Sequence, residues 1–219
     1  IIDSYVDTRF HINKLSLIAT ARRKKSSRKS REFRIAAILE AARDIFIRDG
    51  YENATVADIA KHVNIVEGTV FHYFGSKQGL VVKVMEHFYN EITGNLIAGL
   101  SSIKGSREQL RFAIRYHLKT LLENAELCRV LFKESRGARS ELIDDIRRLN
   151  REYIQPLNRI IEEGIQSGEL RASVNPLLIR NVGYGSIEHL LWSHLFENRT
   201  INVEQSTEEI CSILFDGIL

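Results

Sequence analysis

The sequence predicts an all-α chain, a small three-helix head followed by a larger helical body. Three observations predict it. Apolar residues recur at spacings of three and four, and no useful stretch alternates apolar with polar. Only two prolines, Pro156 and Pro176, interrupt 219 residues. Helix-start and helix-stop residues punctuate the chain.

Residues 1–29 have no clear period. Ser26 and Ser27 sit among basic residues there, which reads as a flexible basic arm. From Ser30 a helix is expected, with Ile35, Ile38, Leu39, Ala42, Ile45 and Phe46 on one face and a stop at Asp49-Gly50. Thr55, with Asp58 three residues on, resembles a capping box and starts the next helix, whose buried stripe is Val56, Ile59, Ala60 and Val63. Asn64 suits a left-handed turn. A short helix from about Val66 to Tyr73 follows, with Val70 and Phe74 inward, then a break at Gly75-Ser76 and a longer helix to about Leu96.

The body reads as helix upon helix. Ser106 with Gln109 forms an expected capping box for a helix to about Glu123, and a short helix covers about Ala125 to Ser135. A single long helix is expected from about Ser140 to Ser167, bent at Pro156 and stopped by Gly168. Asn175-Pro176 starts a helix through about Glu197, and Ser206 with Glu209 opens the last one. The resulting domains are 1–29, an arm or extension; 30–75, the head; and 76–219, the body.

Composition narrows the function classes. With 44% hydrophobic and 27% charged residues the chain is globular. Two cysteines, Cys128 and Cys211, make neither a CxxC site nor a disulfide framework, and read as reduced thiols of a cytoplasmic protein. No apolar run reaches a membrane span of about 18 residues, and the mildly apolar start precedes the basic run, the reverse of a secretory signal. The net charge of +3 is unevenly spread. Residues 22–34 hold eight basic residues and one acid, a net +7, whereas residues 76–219 sum to −1. An anionic partner is expected for the first third.

Two short helices joined by a tight turn, with a third across them, make a helix-turn-helix. The second must be short and exposed to enter a major groove about 12 Å wide. Val66–Phe74 fits, with Glu67, Gly68, Thr69, Phe71 and His72 left for the outer surface. Gly68 lets the backbone approach DNA closely. Thr69 can meet a phosphate or a thymine methyl, and His72 and Tyr73 can reach phosphates or base edges. Lys77 adds charge beside helix-terminal N–H groups that favour anions.

The run Ile59-Ala60-Lys61-His62-Val63-Asn64-Ile65-Val66-Glu67-Gly68-Thr69-Val70-Phe71-His72-Tyr73-Phe74-Gly75-Ser76-Lys77 resembles the signature of TetR-type transcriptional regulators. The stripe Ile38–Phe46, Asp49-Gly50-Tyr51 and Thr55-Val56 resemble that family's first helix and loop, so the likeness covers about Arg34 to Glu91. It implies an all-α fold with a three-helix DNA-binding domain and a helical ligand-binding and dimerisation domain. The residues expected at DNA are Arg28, Lys29, Arg31, Thr55, Glu67, Gly68, Thr69, Phe71, His72, Tyr73 and Lys77. The partner is a palindromic double-stranded operator, and the basic arm adds affinity more than specificity. Departures from the family pattern are informative. Val66 stands where a capping Ser is usual, Phe71 where Tyr is usual, and Asn64 where Gly is usual. Glu67 puts an acid on the groove-facing surface, where it can accept from cytosine N4.

The resemblance further implies a homodimer that senses a small ligand. The expected dimer interface is two helices, with Ile179, Val182, Gly183, Ile187, Leu190, Leu191, Leu195 and Phe196 on one and Ile210, Ile213, Leu214 and Ile218 on the last. Phe88, Phe112, Tyr116, Leu121, Phe132, Tyr153, Tyr184 and Trp192 are candidates for an apolar pocket. The stretches Leu131–Arg136, Glu162–Leu170 and Gly183–Glu188 resemble the branch that controls fatty-acid degradation, whose members sense long-chain acyl-CoA. On that likeness an acyl chain is expected in the pocket, with Arg136 either anchoring a polar group or paired with Glu134 or Asp144. Ligand binding is expected to favour a dimer whose recognition helices are wrongly spaced for DNA.

An enzyme is not expected. HExxH, GxSxG, P-loop and GxGxxG motifs are missing from the sequence, the seven histidines show no tight metal spacing, and no cofactor is called for. The alternatives are a drug-efflux-type repressor sensing a lipophilic compound, and a DNA-binding protein without a small-molecule ligand.

Overall fold

A computed structural model describes residues 30–136, 142–173 and 175–218. Helix α1 spans 30–53, followed by α2 (Val56–His62), α3 (Glu67–Phe74), α4 (Lys77–Leu100), α5 (Ser106–Glu123), α6 (Ala125–Arg136), α7 (Ile143–Tyr153), α8 (Gln155–Ser167), α9 (Pro176–Glu197) and α10 (Val203–Ile218). The described residues contain no strand.

The head forms as its local chemistry dictates. Ile38, Ala42, Ile45 and Phe46 of α1 are buried against Val56, Ile59 and Ala60 of α2 and Val70 of α3 in one core. Thr55 caps α2: its Oγ1 accepts from the Asp58 N–H at 3.1 Å and donates to Asp58 Oδ2 at 2.5 Å. Asn64 takes φ 53° at the turn, as expected of the residue best suited to replace glycine there. Val66 occupies the N-cap of α3 and supplies no side-chain hydrogen bond. Ser76 Oγ accepts from the Gly79 N–H at 2.9 Å and caps α4, so only Gly75 and Ser76 separate α4 from α3.

The body is built around α5, which packs against α4, α6, α8, α9 and α10. Its buried face (Leu110, Ala113, Ile114, His117 and Leu118) continues the head's core through Phe88, Ile92 and Leu96 of α4.

Three expectations about helix ends are corrected. The long helix across 140–167 is two helices, parted at Ile154. Pro156 lies in the first turn of α8, where a missing N–H costs no helical bond. Ser106 does not cap α5. It is already inside the helix and buried, its N–H donates to Glu169 Oε2 at 2.6 Å, and Gln109 instead reaches Ile103 O at 3.0 Å. The last helix starts at Val203, capped by Asn202 Oδ1, which accepts from the Gln205 N–H at 3.1 Å, so Ser206 falls within it.

Candidate DNA interface and ligand cavity

Along the outward face of α3, Glu67, Gly68, Phe71 and His72 are exposed, with Thr69 and Tyr73 half-buried. A Cβ placed on Gly68 would meet nothing within 4 Å, so this stretch of backbone lies open. Two apolar side chains are unusually bare here, Val66 at 73% exposure and Phe71 at 43%. Val66 was missed by sequence reasoning because it was weighed as a failed cap rather than as surface. The Arg31 guanidinium lies 5.8 Å from the centre of the Tyr73 ring, which brings the start of α1 to the edge of the recognition helix. Arg28 and Lys29 lie outside the described residues.

Thr55 and Lys77 are more constrained than expected. The Thr55 hydroxyl is committed to Asp58. Lys77 Nζ donates to the Glu52 carbonyl at 3.0 Å and sits 4.7 Å over the Tyr51 ring, so it ties the start of α4 to the end of α1. Its charge is held at that seam.

A cavity of about 260 Å³ opens inside the body between α4, α5, α6, α7 and α9. Phe88, Leu121, Phe132, Tyr153 and Tyr184 line it. Phe112 and Tyr116 do not. They stack on each other at 6.0 Å, Phe112 against Gly99 and Tyr116 donating to Ile92 O at 3.0 Å. Trp192 stands behind the wall, edge-on to Phe132 and 4.2 Å from Phe196. The Arg136 side chain falls outside the described ones. Among the described residues the cation lining the cavity is Arg180, which sequence reasoning missed. Its signal was there: Arg180, Tyr184, Glu188 and Leu191 recur at helical spacing along α9, and all four line the cavity.

The cavity wall is more polar than an aromatic box. His117 Nδ1 and Tyr153 Oη are hydrogen-bonded at 2.9 Å. Burial pushes the His117 imidazole down to about 3, so it is neutral. Burial also drives the Tyr153 and Tyr184 hydroxyls well above their ordinary range, leaving both neutral. Tyr89, on α4, donates to Asn150 Oδ1 on α7 at the same wall. Cys128 lines the cavity as a protonated thiol, pushed up to about 12 by burial.

The expected dimer contacts need correction. Ile179, Gly183, Ile187, Leu191, Leu195, Ile210 and Leu214 are buried within the chain itself, and Leu190 is half-buried. Helix α9 is apolar almost all round, so the sequence could not tell which face turns inward. Of the residues expected there, Val182 at 40%, Phe196 at 43% and Ile213 at 70% are the exposed ones, joined by Leu178 at 60% and Leu177 at 53%, which were not expected. The Ile218 side chain falls outside the described ones.

No helix among the described residues is long and apolar enough to cross a membrane, and none of their His, Cys, Asp and Glu side chains cluster as metal ligands.

Comparison with known proteins agrees with this architecture. Residues 38–84 match the model of bacterial regulatory proteins of the tetR family. Residues 82–217 match the C-terminal region of YsiA-like proteins. The fatty acid metabolism regulator protein of Bacillus subtilis is 24% identical over 181 residues, covering 83% of this chain and 93% of that protein. The crystal structure of the transcriptional regulator FadR from Bacillus subtilis in complex with stearoyl-CoA superposes with a TM-score of 0.75 at 23% identity, over 84% of this chain and 99% of that one. That of AibR in complex with isovaleryl coenzyme A and operator DNA gives 0.64 at 20% identity, over 83% and 98%. Together the two models span the head and the body, and the chain belongs to the TetR family of bacterial regulatory proteins, which are regulators and not enzymes.

Proposed function

We propose that the protein is a cytoplasmic transcriptional repressor that binds a palindromic operator as a homodimer and leaves it when a long-chain acyl-CoA fills the body cavity. The observation that carries this reading is the shared helix. Phe88, Tyr89 and Ile92 of α4 line the cavity, and the same helix begins at Lys77, directly after the recognition helix. Eleven residues separate Lys77 from Phe88, about 16 Å of helix. Occupancy of the cavity therefore acts on the element that aims α3. The relatives in fatty-acid metabolism, and the stearoyl-CoA held by one of them, support this ligand class.

At DNA, α3 enters the major groove. Glu67 reads a base by accepting from cytosine N4, while Val66 and Phe71 offer apolar contact to thymine methyl groups. Arg28, Lys29 and Arg31 supply phosphate contacts. A second copy packs on the exposed Leu178, Val182 and Ile213 of α9 and α10, setting two heads for half-sites about 34 Å apart. Ligand shifts the population toward a dimer with the wrong spacing.

The test is release. Fluorescence anisotropy of a labelled operator bound by the protein should fall on adding stearoyl- or oleoyl-CoA. Tight acyl-CoA binding by calorimetry with no change in operator affinity overturns the reading.

A further inference from the structure

Charge lines the cavity at two places among the described residues, Arg180 and Glu188, both on α9. Eight residues separate them, about 12 Å along the helix, so the two signs stand apart. Arg180 is half-buried, and its Nε and Nη2 donate to Asn181 Oδ1 at 3.2 and 3.0 Å. No carboxylate among the described residues pairs with it. A guanidinium has five N–H donors in a fork that matches paired oxygens, and here one neutral amide oxygen occupies two of its nitrogens.

One turn further on, Tyr184 turns to the same cavity. Its hydroxyl is closed off from solvent and meets no partner at hydrogen-bond geometry. A half-buried cation without a counter-charge, beside an unpartnered donor, is an arrangement that an incoming acceptor completes. Beyond it the wall carries Glu188 and then turns apolar at Phe132 and Leu191.

We infer that Arg180 anchors the anionic group of the ligand, with Tyr184 as second donor, so the cavity selects an amphiphile with its anion at the first turns of α9. This rests on reading the cavity as an acyl-ligand site. The anion is the carboxylate of a free fatty acid or a phosphate of a CoA thioester, and both offer oxygens to the fork. The hydrocarbon runs toward Phe132 and Leu191.

Calorimetry on the full-length protein with oleate, oleoyl-CoA and uncharged oleyl alcohol tests it. R180Q should weaken the anionic probe that binds by about 10- to 100-fold, the worth of a charge-assisted hydrogen bond, and leave oleyl alcohol within about twofold. R180K should recover part of the loss and Y184F should show a smaller one, with melting temperatures confirming that each variant folds. Loss for oleate identifies the carboxylate, and loss for oleoyl-CoA the phosphate. Wild-type binding undiminished by R180Q overturns the inference and leaves the acyl-ligand reading standing. Silence of the wild-type protein toward all three probes overturns both.

Discussion

Arg43, on the first helix of the DNA-binding head, donates a hydrogen bond of 2.6 Å to Asn124 Oδ1, at the corner between α5 and α6. Leu121 and Cys128, three residues before and four after Asn124, line the cavity. The head is thus tied to the cavity wall directly, beside the route along α4. On the other side Arg148 of α7 meets Glu86 of α4 at 2.8 Å. Burial pushes the Glu86 carboxyl up, but hydrogen bonds from Lys83 and Arg148 overcome that and hold it below the usual range.

Arg43→Ala should therefore leave operator binding and ligand binding individually within about threefold, yet reduce their coupling. Allosteric coupling free energies run about 1–3 kcal/mol, and loss of this tie should cost about 1 kcal/mol of it, about a fivefold smaller ligand-induced change in operator affinity. The measurement is operator affinity with and without saturating ligand. An unchanged ratio shows that the Arg43–Asn124 bond is structural only.

Gly68 separates folding from DNA binding. Because a Cβ there touches nothing, Gly68→Ala should leave the melting temperature unchanged or slightly raised, since alanine is the better helix former by up to about 1 kcal/mol. Operator affinity should fall about tenfold if DNA closes on that backbone, a loss near 1.4 kcal/mol. Glu67→Ala gives the complementary result: discrimination at one base pair relaxes by about 1–3 kcal/mol. If it binds every operator variant more tightly and discriminates no less, Glu67 reads no base.

The arm acts through charge. Deleting residues 1–29 removes six of the eight basic residues in the run from Arg22 to Arg34. It should flatten the salt dependence of operator binding, each lost phosphate contact lowering the slope by about 0.9. A slope identical to that of the full chain refutes an arm on DNA.

The head was legible because its signals are local. The Thr55 cap, the left-handed Asn64 and the stripe from Ile38 to Phe46 each act within a few residues of where they are written. The cavity is not local. Whether Phe112 or Phe88 faces it depends on how α4, α5 and α9 cross, and no single helix encodes that. Helix caps were misread where a residue outside the local motif took over the role. Ser106 satisfied the motif, but a carboxylate 63 residues away, Glu169, reached the N–H first.

That long-range cap creates a tight spot. A Cβ on Gly164 would lie 2.8 Å from Leu170 Cγ, Leu170 Cδ1 and Ser106 Cβ, all in the buried seam between α5 and α8. Gly164→Ala should destabilise by about 1–3 kcal/mol through overpacking, despite alanine's better helix propensity. The expected fall in melting temperature is about 2–4 °C per kcal/mol. Gly94→Ala, on α4 with nothing within 4 Å, is the control and should not destabilise. Equal melting temperatures for the two variants would show that the seam yields.

His117 predicts an acid-labile body. In the unfolded chain its imidazole takes a proton near pH 6.5, whereas burial holds it neutral in the fold down to about pH 3. Below pH 6.5 the unfolded state therefore binds the extra proton, so stability is full above that pH and falls as pH drops toward 3. Each pH unit below 6.5 costs about 1.4 kcal/mol, or about 2 kcal/mol by pH 5. Between pH 6.5 and 4.5 this loss precedes that of carboxylates held below their usual range, such as Glu86. Urea unfolding of the wild type and His117→Gln between pH 7.5 and 5 checks it through the slope rather than the absolute stability. The wild type should lose stability more steeply by about one proton's worth, and parallel curves would mean that His117 takes its proton without unfolding the body.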